Sequence, residues 1–231
     1  MNYGYAEEKG PFIESNSEEI YCLQLYHFIA SGMFSFKSLE SKSVLEVGSG
    51  RGGGLEYVLQ TFNPDKVIGV DYCQKQVDLC NEFYSGIKKL KFVQGDAENL
   101  GMKDESFDVV INVESSHCYG KIDRFFAEVF RVLKEDGVFL YTDFMKPEEA
   151  TRRENVFKTI GFKIIKKKDI TGNIIRSMDL ENKRKVDAIT KFSKFTRYFL
   201  DQFVGLQTSK VYKVFKDREW VYMAYYLTRS N

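Results

Sequence analysis

A glycine-rich turn between a strand-like and a helix-like segment limits what this chain can fold into more than any other feature. Residues 48–54 (GSGRGGG) follow residues 44–47 (VLEV), a short apolar run with the composition of a buried strand. Glycines permit a tight turn and a close approach of the backbone to a ligand, and the following helix offers unpaired N–H groups. The sequence therefore predicts a ligand site at the end of the first strand.

Strand-like and helix-like segments alternate along the middle of the chain, with short links between them. This order predicts right-handed strand–helix–strand units and a mostly parallel sheet. The predicted strands are 44–47, 67–71, 90–93, 107–113, 138–142, 161–165 and 220–227, and the predicted helices include 55–61, 74–84 and 122–133.

Composition and charge exclude several classes of protein. No apolar run approaches the ~20 residues of a membrane span, and residues 1–9 lack the apolar core of a signal peptide. The four cysteines form no C-x-x-C pair and the two histidines join no zinc-type cluster, so we expect a cytoplasmic protein with reduced thiols and no metal. Residues 146–231 have 20 basic and 10 acidic side chains. A solvated face and attraction to an anionic substrate or a membrane surface both explain this excess.

Acidic residues at the ends of three predicted strands indicate which cofactor the glycine turn binds. The turn matches G-x-G-x-x-G, which alone fits a dinucleotide. Glu46 precedes the turn, Asp71 ends the second predicted strand and Asp96 follows the third. A dinucleotide needs an acid at Asp71 for its ribose, but Glu46 would repel its phosphates. S-adenosylmethionine (SAM), with a ribose, an adenine, an ammonium and a sulfonium, suits all three acids.

The same segments resemble the ordered motifs of class I SAM-dependent methyltransferases. The matching segments are 44–52, 67–71, 94–98, 107–110 and 133–139, within residues 40–145. The resemblance implies an α/β fold with a doubly wound, mostly parallel seven-stranded sheet, the Rossmann-like methyltransferase fold. It also implies SAM as cofactor and S-adenosyl-L-homocysteine as product.

This resemblance implies a role for each residue of the cofactor site. Glu46 and the glycine turn hold the methionine part, Asp71 binds the ribose hydroxyls, and Asp96 and the backbone of Ala97 bind the adenine. A turn or helix-capping role explains any one of these residues but not the ordered set. The expected cofactor-binding residues are Glu46, Gly48, Ser49, Gly50, Gly52, Asp71, Tyr72, Asp96, Ala97, Asn112 and Val113.

The segment after the fourth predicted strand, residues 112–119 (NVESSHCY), is the candidate acceptor side. Ligands of open α/β sheets bind beyond the carboxyl ends of the strands, so this segment is expected beside the transferred methyl group. A hydroxyl acceptor must lose its proton, and His117 is the candidate catalytic base. The alternative is a structural histidine in the core or behind the site.

Residues 114–119 and 2–5 (NYGY) are similar to stretches of natural-product and lipid O-methyltransferases, including enzymes of phthiotriol-type lipids and macrolide sugars. The similarity implies a small, fairly apolar molecule or a lipid as the acceptor. The residues expected to line the substrate pocket are Tyr5, Glu114, Tyr119, Phe192 and Phe195.

Two segments outside the motifs have predicted roles. Residues 1–42 are expected to form an N-terminal helix and cap on a methyltransferase domain that spans 43–231. Residues 173–216 are predicted to be a helical insertion between the last two strands. Three roles are open for the aromatic stripe of this insertion: packing on the sheet, covering the acceptor pocket as a lid, or a weak contact with a membrane surface. The stripe consists of Phe192, Phe195, Phe199 and Phe203, and Ile189 precedes it at the same helical spacing.

The leading hypothesis is a SAM-dependent O-methyltransferase of a small molecule or lipid. Transfer to nitrogen, to carbon or to a protein side chain remains open, since an amine needs less help from a base. Retention of Glu46, Asp71 and Asp96 disfavours an interaction module without activity. Nucleic acid is not an expected partner, because no Asn/Asp-Pro-Pro-Tyr/Phe motif follows the fourth strand. The sequence predicts no oligomeric state.

Overall fold

A single seven-stranded sheet forms the centre of the protein. The computed structural model describes residues 2–9, 13, 17–32, 38–190 and 205–229. The strand order is β3-β2-β1-β4-β5-β7-β6. Strands β1 to β5 pair in parallel, and β7 is antiparallel to both β5 and β6. The strands are β1 Ser43–Val47, β2 Lys66–Asp71, β3 Leu90–Gln94, β4 Phe107–Val113, β5 Leu133–Met145, β6 Phe162–Asp169 and β7 Val221–Arg229.

Helices cover both faces of the sheet and connect its parallel strands, except for β3 and β4, which are joined by a loop over residues 95–106. The strand order reverses between β1 and β4, which is the place where the carboxyl ends of an open α/β sheet form a binding crevice. The fold class predicted from the sequence is therefore confirmed. The helices are α1 Ile20–His27, α2 Gly53–Phe62, α3 Gln74–Phe83, α4 Ile122–Val132, α5 Pro147–Ile160, α6 Thr171–Ile189 and α7 Lys210–Lys216, with a π-helical turn at Phe28–Gly32 and a 3₁₀ turn at Ser116–Cys118.

Each face of the sheet has its own hydrophobic core. Val44 and Val109 belong to one cluster of buried residues, while their neighbours Leu45 and Val110 belong to the other. Consecutive side chains of a strand point to opposite faces of the sheet. Because both faces are covered here, each strand needs apolar residues at consecutive positions. Buried side chains of α1, α2, α3 and α6 complete the first core, and those of α4 and α5 complete the second.

Two strands, β5 and β6, extend beyond their predicted boundaries by more than two residues. β5 begins at Leu133 rather than at residue 138, because Leu133 pairs with Phe107 before the register shifts. The helix predicted over 122–133 accordingly ends at Val132. β6 continues through exposed lysines 166–168 to Asp169 instead of ending at residue 165. β6 is the edge strand, where lysines discourage pairing with another chain.

The connection between β6 and β7 contains α6 and α7, as the predicted helical insertion requires. The aromatic stripe at Phe192, Phe195, Phe199 and Phe203 lies outside the described residues, so the lid remains a prediction. Within the described ranges, no helix combines the length and apolar composition needed to cross a bilayer.

Candidate functional site

A cavity of about 620 Å³ opens at the carboxyl ends of β1, β2 and β4, at the crevice that the strand order creates. Most of the residues expected from the sequence to form the site share this cavity. Those on its wall are Gly48, Ser49, Gly50, Asp71, Tyr72, Asp96, Ala97, Val113, Glu114 and Tyr119.

The glycine turn passes so close to the segment after β4 that it excludes a side chain at Gly48. Gly48 has a φ of +76°, and a Cβ there would lie 2.3 Å from Ser115 Oγ. Its N–H and that of Ser49 donate to the carbonyl of Val70 at 2.8 and 3.0 Å. The Oγ of Ser49 is buried on the cavity wall without a hydrogen-bond partner among the described residues. The turn is therefore held in place by hydrogen bonds to the end of β2, and the Oγ of Ser49 lies close to Gly69 of β2.

Asp71 connects the end of β2 to the glycine turn. Its Oδ2 accepts from the N–H of Gly50 at 2.8 Å, and its Oδ1 accepts from the N–H of Cys73 at 3.0 Å. A carboxylate offers about four lone pairs, so each oxygen retains capacity for a hydroxyl donor from a ligand. On the next loop, Asp96 is exposed on the cavity wall beside buried Ala97.

Two of the predicted cofactor-site residues lie behind the wall. Glu46 is fully buried, and Tyr26 OH donates to its Oε1 at 2.6 Å. Its Oε2 has no partner among the described residues, and burial raises the pKa of Glu46 to about 8. The amide nitrogen of buried Asn112 lies 2.8 Å from the carbonyl of Val47 and 2.8 Å from Ser115 Oγ. Both residues therefore support the wall rather than form it.

A second cavity, of about 440 Å³, adjoins the first. Asn2, Tyr26 and Ser49 line both. Gly52, expected in the cofactor site, lies on the wall of this second cavity, together with residues of α1 and α3. Tyr26 thus separates the two spaces, a position that the sequence did not reveal because α1 carries no recognisable motif.

Glu114 joins the site to the N-terminal strap, which we define as residues 2–9. The Oε2 of Glu114 accepts from the N–H of Tyr3 at 2.9 Å and from Tyr222 OH at 2.8 Å. Burial raises the pKa of Glu114 to about 7. Ser177 of α6 donates to the carbonyl of Tyr3 at 3.0 Å, and a Cβ at Gly4 would lie 2.3 Å from Ser177 Oγ. The strap is therefore held between α6 and the end of β4.

His117 lies in the 3₁₀ turn that follows Glu114, with 30 % of its side chain exposed. Its Nδ1 is 2.9 Å from Oδ1 of Asp143, which is completely buried at the end of β5. Burial by itself lowers the pKa of His117, but the hydrogen bond to Asp143 and the charges of Asp143 and Glu114 outweigh it and raise the pKa. The sequence reasoning missed Asp143, although an acid at the end of a predicted strand was the signal used for Asp71.

Of the residues expected in the substrate pocket, one lies elsewhere in the structure and two lie outside the described residues. The structure corrects the placement of Tyr5: it is fully buried, stacks on Phe28 with ring centroids 4.2 Å apart, and lines neither cavity. Its backbone N–H bonds to Tyr21 of α1, which turns the side chain into the core. Phe192 and Phe195 lie outside the described residues.

The sheet order, the glycine turn and the acids at strand ends define the class of SAM-dependent methyltransferases. A methyltransferase domain model matches residues 45–141. A fatty-acid O-methyltransferase from Mycolicibacterium smegmatis is 38 % identical over 182 residues, which cover 78 % of this chain and 65 % of that protein. The chain thus spans slightly less than two thirds of that relative.

A second relative covers the whole chain. The phthiotriol/phenolphthiotriol dimycocerosates methyltransferase of Mycobacterium tuberculosis is 33 % identical over 234 residues, 100 % of this chain and 85 % of that protein. A geranyl diphosphate C-methyltransferase from Streptomyces coelicolor, solved with S-adenosyl-L-homocysteine, matches 99 % of this chain and 91 % of its own with a TM-score of 0.72 and 15 % identity. The chain belongs to the SAM-dependent methyltransferase family.

Proposed function

We propose that this protein transfers a methyl group from SAM to a hydroxyl oxygen of a lipid-type acceptor, with His117 as catalytic base. The observation that carries the proposal is the place of His117. His117 itself lines neither cavity, but its neighbours Glu114, Ser115, Cys118 and Tyr119 in the segment 114–119 line the main cavity.

The residues around the main cavity fit SAM. The free lone pairs of Asp71 suit a ribose diol, and Asp96 and Ala97 form a wall suited to adenine. Gly48 and Gly50 have no side chain, so their backbone forms the cavity wall and can approach a ligand closely. When bound, SAM supplies an electrophilic methyl carbon on a sulfonium, which is a good leaving group.

The acceptor side of the proposal needs one proton to be removed. As the acceptor oxygen bonds to the methyl carbon, its hydroxyl proton passes to His117. General-base help of this kind contributes about 10²–10⁴-fold. The names of the two relatives support a lipid acceptor, because both denote enzymes that act on lipids.

The test uses purified protein, methyl-labelled SAM and three acceptors: hexadecan-1-ol, hexadecanoic acid and hexadecylamine. We expect label in the methyl ether, lost in His117→Ala while SAM binding by calorimetry is retained. His27→Ala is the matched control, since His27 bonds to Tyr57 on α2 and does not belong to the segment 114–119.

Other outcomes distinguish the alternatives. A carboxylate is already deprotonated, so label on the acid that survives His117→Ala would remove the base from the mechanism. Label on the amine alone would favour N-methylation. In a parallel reaction with a fractionated cell extract, label confined to protein or nucleic acid would overturn the lipid acceptor and leave the cofactor assignment in place.

A further inference from the structure

The carboxylate of Asp143 holds both the backbone and the ring of His117. Its Oδ1 lies 2.9 Å from His117 Nδ1 and accepts from the N–H of Phe144 at 2.8 Å. Its Oδ2 accepts from the N–H of His117 at 2.9 Å and from Ser116 Oγ at 2.5 Å. Four donors therefore converge on one side chain that is completely shielded from solvent. Such convergence suits an ionised carboxylate, which only accepts hydrogen bonds.

This arrangement determines which imidazole nitrogen carries the proton. Because the carboxylate accepts, Nδ1 must donate, and the neutral ring then presents Nε2 as its acceptor. Within the described part of the chain, Nε2 has no hydrogen-bond partner. It is the nitrogen left available to a proton from solvent or from a ligand.

The face of the His117 ring also packs against an aromatic side chain. Phe144 packs on His117 with ring centroids 4.3 Å apart, and Trp220 stacks on Phe144 at 5.0 Å. Asp143 and Phe144 are consecutive in β5, so their side chains approach His117 from opposite faces of the sheet. The imidazole has little freedom to rotate into another hydrogen bond.

The charge of Asp143 is compensated from α5. Nearly buried Arg153 of α5 donates to Ser116 Oγ at 3.3 Å and to the hydroxyl of Tyr141. Its Nε also donates to Glu149 at 3.1 Å. Stabilising a buried carboxylate requires partners of this kind.

We propose that Asp143 is the positioning residue of this site, keeping His117 in the Nδ1–H tautomer so that Nε2 accepts the proton of the acceptor. The proposal rests on the base role of His117 given under Proposed function. The tautomer itself does not depend on that role, so the two ideas can be tested separately. The titratable groups that face His117 are Asp143 from β5, Glu114 and Cys118 from its own loop, and Arg153 from α5.

The chain has only two histidines, His27 and His117, which makes the ring directly measurable. In ¹⁵N-labelled protein, two-bond ¹H–¹⁵N correlations report the tautomer and the pKa of each imidazole, and His27→Gln assigns them. We expect neutral His117 of the wild type to be the Nδ1–H form. An Nε2–H form in the wild type would overturn the proposal without any variant.

Asp143→Asn is the second arm, because Asn keeps the shape but loses the charge. We expect the pKa of His117 to fall and its single tautomer to be lost. Asp108→Asn is the matched control: this carboxylate also accepts several hydrogen bonds, from Ser43 and Lys134, but lies at the opposite end of β4. The same His117 titration in wild type and Asp143→Asn would refute the positioning role, even if Asp143→Asn were less stable.

Turnover of hexadecan-1-ol then separates positioning from folding. We expect Asp143→Asn to lower kcat by about 10²-fold or more with little change in KM, since only the proton-transfer step is affected. The double variant with His117→Ala is expected to be no slower than His117→Ala alone. An altered tautomer with unchanged turnover would overturn the base role of His117 rather than its contact with Asp143.

Discussion

Replacing Glu114 by Gln should make the protein less sensitive to alkaline pH. Burial raises the pKa of Glu114 from its ordinary 4.5 to about 7. Between these values the unfolded chain ionises while the folded chain keeps its proton, so rising pH favours unfolding. The stability that this group contributes is complete below pH 4.5 and is lost as pH rises to 7.

The size of the effect follows from the shift. A shift of one unit corresponds to 1.36 kcal/mol, so a shift of about 2.5 units costs roughly 3 kcal/mol, of which about 2.5 kcal/mol develops between pH 5 and 8. Glu114→Gln should remove this loss without breaking the contacts. Tyr3 and Tyr222 both donate to the same oxygen, Oε2, and the single carbonyl oxygen of Gln can accept from both.

The assay is urea-induced unfolding of wild type and Glu114→Gln at pH 5 and pH 8. We expect the variant to gain about 2.5 kcal/mol over the wild type between the two pH values, or roughly 5–10 °C in Tm for a chain of this size. Glu82→Gln, on the exposed surface of α3, is the control. Equal losses of stability in wild type and Glu114→Gln would refute the assignment of a raised pKa to this carboxyl.

Three further substitutions test other parts of the site. Gly48→Ala imposes a left-handed backbone on a side chain that meets Ser115, so we expect a loss of about 2–4 kcal/mol in urea unfolding; an unchanged midpoint would contradict the close contact. Asp71→Asn should weaken SAM binding at least ~10-fold by calorimetry, since a charge-assisted hydrogen bond contributes ~1.5–3 kcal/mol; unaltered affinity would argue against a ribose contact. Tyr26→Phe removes the donor to Glu46 and should lower the unfolding free energy by ~1–3 kcal/mol. The loss should be largest above pH 8, where the Glu46 carboxyl ionises, and a loss independent of pH would contradict its raised pKa.

The local features of the sheet and of the cofactor side were predictable from sequence because each depends on neighbouring residues. The run 44–47 followed by the glycine turn specifies a strand that ends at a ligand site, whatever the rest of the chain does. Asp71 and Asp96 were found by the same reasoning, since both end or follow a strand. Of the predicted cofactor-binding residues, all except Glu46 and Asn112 lie on the wall of one of the two cavities.

The acceptor side was only partly predictable because its contacts join distant parts of the chain. Glu114 binds the backbone of Tyr3, 111 residues earlier, and His117 binds Asp143, 26 residues later. No periodicity encodes such pairs. Tyr5 was expected in the pocket because it belongs to the stretch 2–5 that resembles lipid and natural-product O-methyltransferases, but the strap turns its side chain into the core. The proposed contact of the basic C-terminal third with a membrane surface stays a prediction.

Burial and the number of hydrogen-bond donors together explain how the carboxylates of the site differ. Glu46 is fully buried with one donor and has a pKa of about 8, while Glu114 lies on the cavity wall with two donors and has a pKa of about 7. Each hydrogen bond to the ionised form offsets part of the cost of burial. Asp143 has four donors, and it is the carboxylate that contacts His117. Of these three carboxylates, the one that contacts the proposed base thus accepts the most hydrogen bonds, and the one beside the glycine turn, where the methionine part of the cofactor is proposed to bind, accepts the fewest.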